Sequence, residues 1–217
     1  MSQQWTDRSR VPPRLYLVTP PASDVAFAPL LADALDAGDV AAVLVRLPHG
    51  DDRVLIDHVK ALAAPVQNKG VALLIDGHPD IVVPSGADGT QVTGVDSLTT
   101  TLARLKPTYI VGAGGLTSRD DAMRAGEAGV DYVMFGEPNP AGYRPAGAAI
   151  AERVAWWAEL FVVPCVAYAE NLDEITPLRA AHADFIAVGT AVFSDLRGPR
   201  AAVSDAIARV SVAETTA

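Results

Sequence analysis

The sequence has little of what builds disulfide-stapled, membrane-spanning or aromatic-rich proteins. Its 217 residues include one cysteine, Cys165, which excludes an internal disulfide framework and favours a reducing compartment. Aromatic residues make up only 6% of the chain, although half of its residues are hydrophobic. No apolar run approaches the roughly 18 residues of a transmembrane helix, and the opening stretch MSQQWTDRSR lacks the apolar core of a signal peptide. We therefore expect a cytoplasmic protein with no membrane partner.

Positive charge is also scarce. The chain has 17 lysines and arginines against 26 acidic residues, a formal net charge of −9. Such a balance argues against binding to a nucleic-acid backbone. A phosphate-bearing ligand would need a local basic patch or a bound cation.

The stretch 108–135 contains one complete strand–helix–strand unit. A short apolar run, residues 109–111, precedes a helical pattern that ends at Gly129, and a second apolar run, residues 132–135, follows. Between the first run and the helix lie the residues that predict a sharp turn and a helix cap: Gly112, Gly114, Gly115, Thr117 and Ser118. Strands joined by a helical crossover are parallel.

The same alternation of strand and helix recurs along the whole chain. Predicted strands start near residues 14, 41, 71, 89, 109, 132, 161 and 185. Eight such units predict a single (β/α)₈ TIM barrel over 14–210, with tails at 1–13 and 211–217. The alternative is an open doubly wound sheet with fewer strands. The seventh predicted strand, 161–167, contains Pro164, which cannot donate to a strand ladder.

Ligands of such barrels bind where the strands end, and this rule selects Arg46. Arg46 follows an otherwise apolar strand. A guanidinium there suits a phosphate, to which it can donate two parallel hydrogen bonds. An ion pair with a loop acid such as Asp51 is an equally good interpretation.

Two carboxylates also follow adjacent strands. Asp76 ends the third strand, and Asp96 follows the fourth. Together they would suit one Mg²⁺, which prefers oxygen ligands and keeps water or phosphate in its shell. In the alternative, Asp76 forms a turn with Gly77 and Asp96 caps the next helix. The spacing alone favours this second interpretation.

Two further patterns admit both a functional and a structural interpretation. The turn at 112–117 resembles part of the dinucleotide fingerprint G-x-G-x-x-G, but Thr117 stands where the last glycine belongs. An anion-binding turn and a tight turn without a ligand are the alternatives. On the helix at 146–160, one ring of Trp156-Trp157 should pack inward, and the other is a candidate contact in a homo-oligomer.

Four segments resemble the thiamine-phosphate synthase family, which includes aminothiazole tautomerases. They are RLYLVT at 14–19, GADGTQVTGVDS at 86–97, GVDYVMFG at 129–136 and ADFIAVGTAVF at 183–193. The resemblance covers nearly the whole chain in the same order. It implies a barrel that joins a hydroxymethylpyrimidine diphosphate to a thiazole phosphate with Mg²⁺, which Asp76 and Asp96 would hold.

The resemblance also implies the residues that contact a phosphorylated heterocycle. Arg46 is retained from the second-strand motif. Arg144 stands in place of a lysine, and Gly114 in place of a serine. The five implied substrate-binding residues are Arg46, Gly114, Arg144, Gly189 and Thr190.

Other positions depart from the family pattern. Pro48 replaces a lysine near the expected diphosphate, and Glu170 places a carboxylate in the phosphate turn of the seventh strand. Leu116 stands where tautomerases carry a histidine base, so no catalytic residue is assigned. Two main hypotheses follow: a diverged synthase, or a family paralogue without synthase activity that binds, or acts on, another small molecule. A third, less favoured hypothesis is an interaction scaffold that uses the helix with Trp156-Trp157.

Overall fold

Eight short strands, rich in apolar residues, close into a parallel barrel. The structure is a computed structural model, and it describes residues 11–139 and 141–211. Each strand pairs with its neighbours in chain order, and β8 returns to β1. The strands are β1 (Arg14–Val18), β2 (Val40–Val45), β3 (Ala72–Asp76), β4 (Gly89–Thr93), β5 (Ile110–Gly114), β6 (Tyr132–Phe135), β7 (Cys165–Ala169) and β8 (Phe185–Val188). The predicted (β/α)₈ barrel is confirmed, and the open sheet is excluded.

Helices follow the strands and cover the outside of the barrel. They are α1 (Ala28–Leu35), α2 (Asp52–Gln67), α3 (Val82–Ser85), α4 (Leu98–Leu105), α5 (Arg119–Ala128), α6 (Gly147–Leu160), α7 (Ile175–Ala180), α8 (Thr190–Phe193) and α9 (Pro199–Ser211). Turns of 3₁₀ helix at Val25–Phe27, Pro79–Ile81 and Leu172–Glu174 precede α1, α3 and α7. Within the described residues, no helix is both long and apolar enough to cross a membrane.

Side chains alternate along each strand between two cores. One set points outward and packs against the helices, and the other fills the barrel. The few aromatic residues include three tyrosines of the inner core, Tyr16, Tyr132 and Tyr168. Trp157 is fully buried under α6, as expected, whereas Trp156 is only partly buried. Its predicted role in an oligomer stays a prediction.

The turn after β5 begins later than the glycines predicted. Gly112 and Gly114 are strand residues, and the backbone first turns left-handed at Gly115, where φ is +62°. Gly112 is needed inside the strand because a Cβ there would overlap the ring of Tyr132. Ser118 caps α5 in a capping box with Asp121, as one of the two predicted caps.

Other boundaries shift for local reasons. The strand predicted over 161–167 begins only at Cys165, because Pro164 lacks the N–H that a ladder requires. The helix predicted from Val95 begins at Leu98, and the short α8 was not predicted. The tails predicted at 1–13 and 211–217 lie mostly outside the described residues, and Ser211 still belongs to α9.

Candidate functional site

Three charged side chains meet where β2, β3 and β6 end. We call this end of the barrel the mouth, and the group formed by Arg46, Asp76 and Glu137 the Arg46 cluster. Arg46 Nε donates to Asp76 Oδ2 over 3.3 Å, and Arg46 Nη2 donates to Glu137 Oε1 over 2.9 Å. The alternative partner Asp51 instead caps α2 by accepting from the backbone N–H of Arg53. The mouth therefore brings Arg46 and Asp76 together.

Glu137 connects this cluster to a chain of hydrogen bonds inside the barrel. Its Oε2 accepts from Gln91 Nε2 at 3.0 Å, and Gln91 Oε1 accepts from the Tyr132 hydroxyl at 3.2 Å. Since Tyr132 donates its proton to Gln91, the Tyr16 hydroxyl, 3.0 Å away, must donate to Tyr132. Side chains from three strands, β1, β4 and β6, thus hold Glu137 from below.

Burial sets the proton affinity of the Arg46 cluster. The Glu137 side chain is 9% exposed. Its burial, and then the negative charge of Asp76, raise the pKa of Glu137 to about 7, despite the opposing effect of Arg46. Burial likewise raises the pKa of Asp76, and the charge of Arg46 only partly compensates. Two carboxylates share one guanidinium, so their negative charges are incompletely balanced.

A second group, which we call the Arg144 cluster, lies between the loop after β6 and the end of β7. It consists of Arg144, Glu170 and Glu174. Arg144 Nη1 and Nη2 donate to the two carboxylate oxygens of Glu174 at 3.0 and 2.9 Å, and Nη1 also donates to Glu170 at 3.1 Å. The same guanidinium donates to the backbone carbonyls of Gly136 and Tyr168.

The Arg144 cluster is electrostatically satisfied. Burial alone would raise the pKa of Glu174. The hydrogen bonds from Arg144 and from the Glu170 backbone N–H outweigh burial and lower that pKa. The Arg144 side chain is 9% exposed, which leaves little of it open to a ligand. The carboxylate of Glu170, which the sequence placed beside a phosphate, is paired with Arg144 instead.

With this geometry established, comparisons with known proteins identify the family. A family model described as thiamine monophosphate synthase matches residues 15–192. The chain belongs to the thiamine-phosphate synthase family. It is 45% identical over 196 residues to a thiamine-phosphate synthase of Rhodospirillum centenum, covering 88% of this chain and 95% of that protein.

Further similarities agree with this assignment. The chain is 38% identical over 211 residues to a thiamine-phosphate synthase of Hyphomonas neptunium, covering 91% of this chain and 94% of that protein. The solved structure of a thiamine phosphate pyrophosphorylase from Pyrococcus furiosus superposes with a TM-score of 0.76 at 23% identity, over 91% of this chain and 95% of that one. This likeness supports the fold alone.

The remaining candidate residues of this family member are Asp96, Gly114, Gly189 and Thr190. Asp96 is exposed in the turn before α4, whose N-cap is Ser97 rather than Asp96. Gly189 precedes α8, and the Thr190 side chain is hydrogen bonded to the Tyr168 hydroxyl. No group of three or more histidine, cysteine or acidic side chains suited to a metal occurs in the described part of the chain.

Gly114 acquires a physical explanation. A Cβ at Gly114 would lie 2.6 Å from Gln91 Nε2 and closer still to Glu137 Oε2. Real Cβ atoms do not approach other atoms so closely, so a side chain at 114 and the observed Glu137 position are mutually exclusive. In this chain, Gln91 and Glu137 fill the space that a side chain at position 114 would occupy.

Sequence reasoning missed Glu137 and Glu174. A signal for Glu137 existed: a glutamate that follows Gly136 directly, at the end of a strand where ligands of barrels bind. It lies inside the proline- and glycine-rich loop, and that composition concealed it. Glu174 gave no comparable signal, because an acidic residue near a helix start is ordinary.

Proposed function

We propose that this chain transfers a hydroxymethylpyrimidine group from its diphosphate to a thiazole phosphate. The observation that carries the proposal is the adjoining pair of Arg46 and Asp76 at the mouth, in a chain 45% identical to a thiamine-phosphate synthase. A guanidinium suits the diphosphate, and a carboxylate beside it suits the cation that accompanies this anion. Membership of the family supports the reaction, and the pair of Arg46 and Asp76 supports a binding site for the diphosphate.

The reaction breaks one bond and forms one. The carbon–oxygen bond to the diphosphate breaks, and the diphosphate leaves with the electron pair. The thiazole nitrogen then donates its lone pair to that carbon. Residues of the chain act by orienting both substrates and by stabilising negative charge on the leaving group. In this proposal Arg46 holds the diphosphate, while the backbone at Gly189 and the Thr190 hydroxyl donate to the other phosphate.

Asp76 and Asp96 would hold Mg²⁺. Their carboxylate oxygens are the donors that Mg²⁺ prefers, and Arg46 donates to the Oδ2 atom of Asp76 rather than to its Oδ1 atom. Two carboxylates suffice only if water and the diphosphate complete the shell, which is the usual arrangement for this ion. When bound, the cation neutralises part of the charge of the diphosphate.

The transfer can be measured directly. Purified protein is incubated with both substrates and Mg²⁺, and the product thiamine phosphate is quantified by mass spectrometry. We expect product formation that requires both substrates, stops when the metal is chelated, and falls strongly in Arg46→Ala. An amount of product no greater than that of a protein-free blank would refute the proposal.

A second candidate function is supported by the occupied arginines. Arg46 and Arg144 are both paired with carboxylates of the chain, which leaves the mouth poor in free positive charge. A paralogue that binds a less anionic small molecule would fit such a mouth. A thermal-shift screen separates the two functions, because stabilisation by thiazole phosphate, or by diphosphate with Mg²⁺, would contradict this second candidate.

A further inference from the structure

The guanidinium at the mouth already holds an anion, and that anion is part of the chain. Arg46 Nη2 donates to Glu137 Oε1 at 2.9 Å, and Nε donates to Asp76 at 3.3 Å. The side chain of Arg46 is 22% exposed. A ligand phosphate that sought two parallel hydrogen bonds from this guanidinium would meet the Glu137 carboxylate on one of its donor nitrogens.

Hydrogen bonds inside the barrel fix the position of the Glu137 carboxylate. Its second carboxylate oxygen accepts from Gln91, which is 1% exposed and is itself held by Tyr132. The absence of a side chain at Gly114 provides the space. Glu137 is therefore held from two sides, by Arg46 and by Gln91.

The charges around Glu137 oppose the entry of another anion. Two carboxylates face one guanidinium, and their negative charges are partly shielded from water. Within residues 11–139 and 141–211, Arg46 is the cation that is hydrogen bonded to Glu137, and the neighbouring strands add tyrosine hydroxyl groups. The titratable groups nearby are Tyr16, Asp76, His78, Tyr132 and Tyr168, with Arg46 as the positive charge.

We propose that Glu137 is a specificity-determining residue, an internal anion that competes with the phosphate of a ligand for Arg46. An anionic ligand that takes hydrogen bonds from both Nε and Nη2 of Arg46 competes with the Glu137 carboxylate for Nη2. The inference rests on the proposed function in one respect, that anionic ligands bind at the mouth. It predicts weaker binding of a free anion than Arg46 alone would provide.

The experiment measures binding of inorganic pyrophosphate by isothermal titration calorimetry in buffer with a chelator, so that Asp76 cannot contribute through a metal. Glu137→Gln keeps the shape of the side chain and removes its charge. We expect the dissociation constant of this variant for pyrophosphate to be about tenfold lower than that of the wild type. The reason is that Arg46 no longer has to give up a hydrogen bond to a charged carboxylate. Glu137→Ala should show the same direction of change.

Two further variants isolate the cause. Glu152→Gln makes the same change in net charge on α6, where Glu152 pairs with Arg119 and its side chain is 76% exposed. We expect the dissociation constant of this variant for pyrophosphate to stay within about twofold of the wild-type value, because salt screens exposed surface charges. In Glu137→Gln combined with Arg46→Ala, the gain should disappear. Circular dichroism confirms that each variant is folded.

Three results would overturn the inference. Unchanged binding in both Glu137 variants would mean that the carboxylate does not compete. Weaker binding in both would mean that Glu137 positions Arg46 for the ligand. A gain that survives loss of Arg46 would assign the anion to another site. None of these results depends on turnover, so a wild type without transfer activity would leave the binding comparison intact, and the reverse also holds.

Discussion

The mouth contains two arginines that look alike in sequence and differ in their electrostatics. Arg46 and Arg144 each contact two carboxylates. In the Arg46 cluster, burial raises the pKa of both acids, and that of Glu137 reaches about 7. In the Arg144 cluster, burial is outweighed by hydrogen bonds, and the pKa of Glu174 is lowered. In the Arg46 cluster, folding therefore disfavours the charged forms of Asp76 and Glu137. In the Arg144 cluster, folding favours the charged form of Glu174.

The difference follows from geometry. Arg144 places both Nη atoms on Glu174 and also donates to two backbone carbonyls, which ties the loop after β6 to β7. Arg46 divides its donors between two acids on different strands. One arginine of the mouth therefore joins a loop to a strand, whereas the other joins two acidic side chains.

Replacement of Arg144 should have the largest effect on stability. Arg144→Ala removes one partner of a largely buried ion pair and takes one hydrogen bond from each of two backbone carbonyls. We expect the free energy of unfolding to fall by about 3 kcal/mol or slightly more, as for other broken buried pairs. Urea unfolding monitored by circular dichroism measures the loss.

A matched control uses Arg14, which also donates two hydrogen bonds to one carboxylate, that of Asp39. This pair is exposed, so Arg14→Ala should cost far less. Equal losses in the two variants would show that the Arg144 cluster is no more structural than a surface ion pair, and the contrast with the Arg46 cluster would fail.

The pH dependence of stability should distinguish the clusters by sign. The pKa of Glu137 is raised from 4.5 to about 7, so the folded state binds the extra proton. Stability should fall by up to about 3 kcal/mol as pH rises from about 4.5 to about 7. The Glu137→Gln variant should lose this dependence. A wild type and a variant with parallel stability curves between about pH 5 and pH 8 would contradict the raised pKa.

Glu174 should act in the opposite sense. Because its folded pKa is lowered, its contribution to stability is present above the unfolded pKa and is lost as pH falls through the lowered value. Glu174→Gln should therefore flatten the acidic limb of the stability curve and leave the neutral range unchanged in shape. Chemical unfolding across the same pH series measures both variants.

A side chain at position 114 should disturb the Arg46 cluster specifically. Gly114→Ala places a methyl group against Gln91 and Glu137, and we expect a loss of about 1 to 3 kcal/mol from overpacking. Adding Glu137→Ala should recover part of this loss, since it vacates the contested space. Gly50→Ala is the control, because a Cβ there meets only Leu55 at 3.4 Å. A neutral Gly114→Ala would show that the carboxylate is not confined.

Much of the fold followed from local sequence signals. Apolar runs between helical patterns predicted all eight strands, because a parallel barrel requires that alternation. Boundaries failed where tertiary packing overrode local preference. Gly112 suggested a turn because glycine turns easily, yet it lies in a strand because Tyr132 needs its space. A ring from the neighbouring strand cannot be inferred from the segment alone.

The sequence indicated where Arg46 and Asp76 lie, but not all the side chains that they contact. The rule that ligands bind at strand ends identified Arg46 and Asp76, and the structure brings these two side chains together. It did not reveal that Glu137 joins them, since β2 and β6 are distant in sequence and their contact depends on barrel closure. The role of Gly114 became interpretable only with Glu137 in place.

The hydrogen-bonded chain below Glu137 provides the smallest test of the contrast, since it joins the Arg46 cluster through Gln91. Tyr16→Phe removes one buried hydrogen bond and should cost about 1 kcal/mol. Tyr132→Phe also leaves Gln91 Oε1 without its donor, so it should cost more. Thermal unfolding compares the stability of the two variants.

The same two variants should differ in pyrophosphate binding. In Tyr132→Phe, Gln91 loses the hydrogen bond from Tyr132, so Gln91 should hold Glu137 less firmly and pyrophosphate should bind slightly more tightly. Tyr16→Phe should have a smaller effect on pyrophosphate binding. A larger gain in pyrophosphate binding in Tyr16→Phe than in Tyr132→Phe would mean that Glu137 is fixed by Arg46 alone.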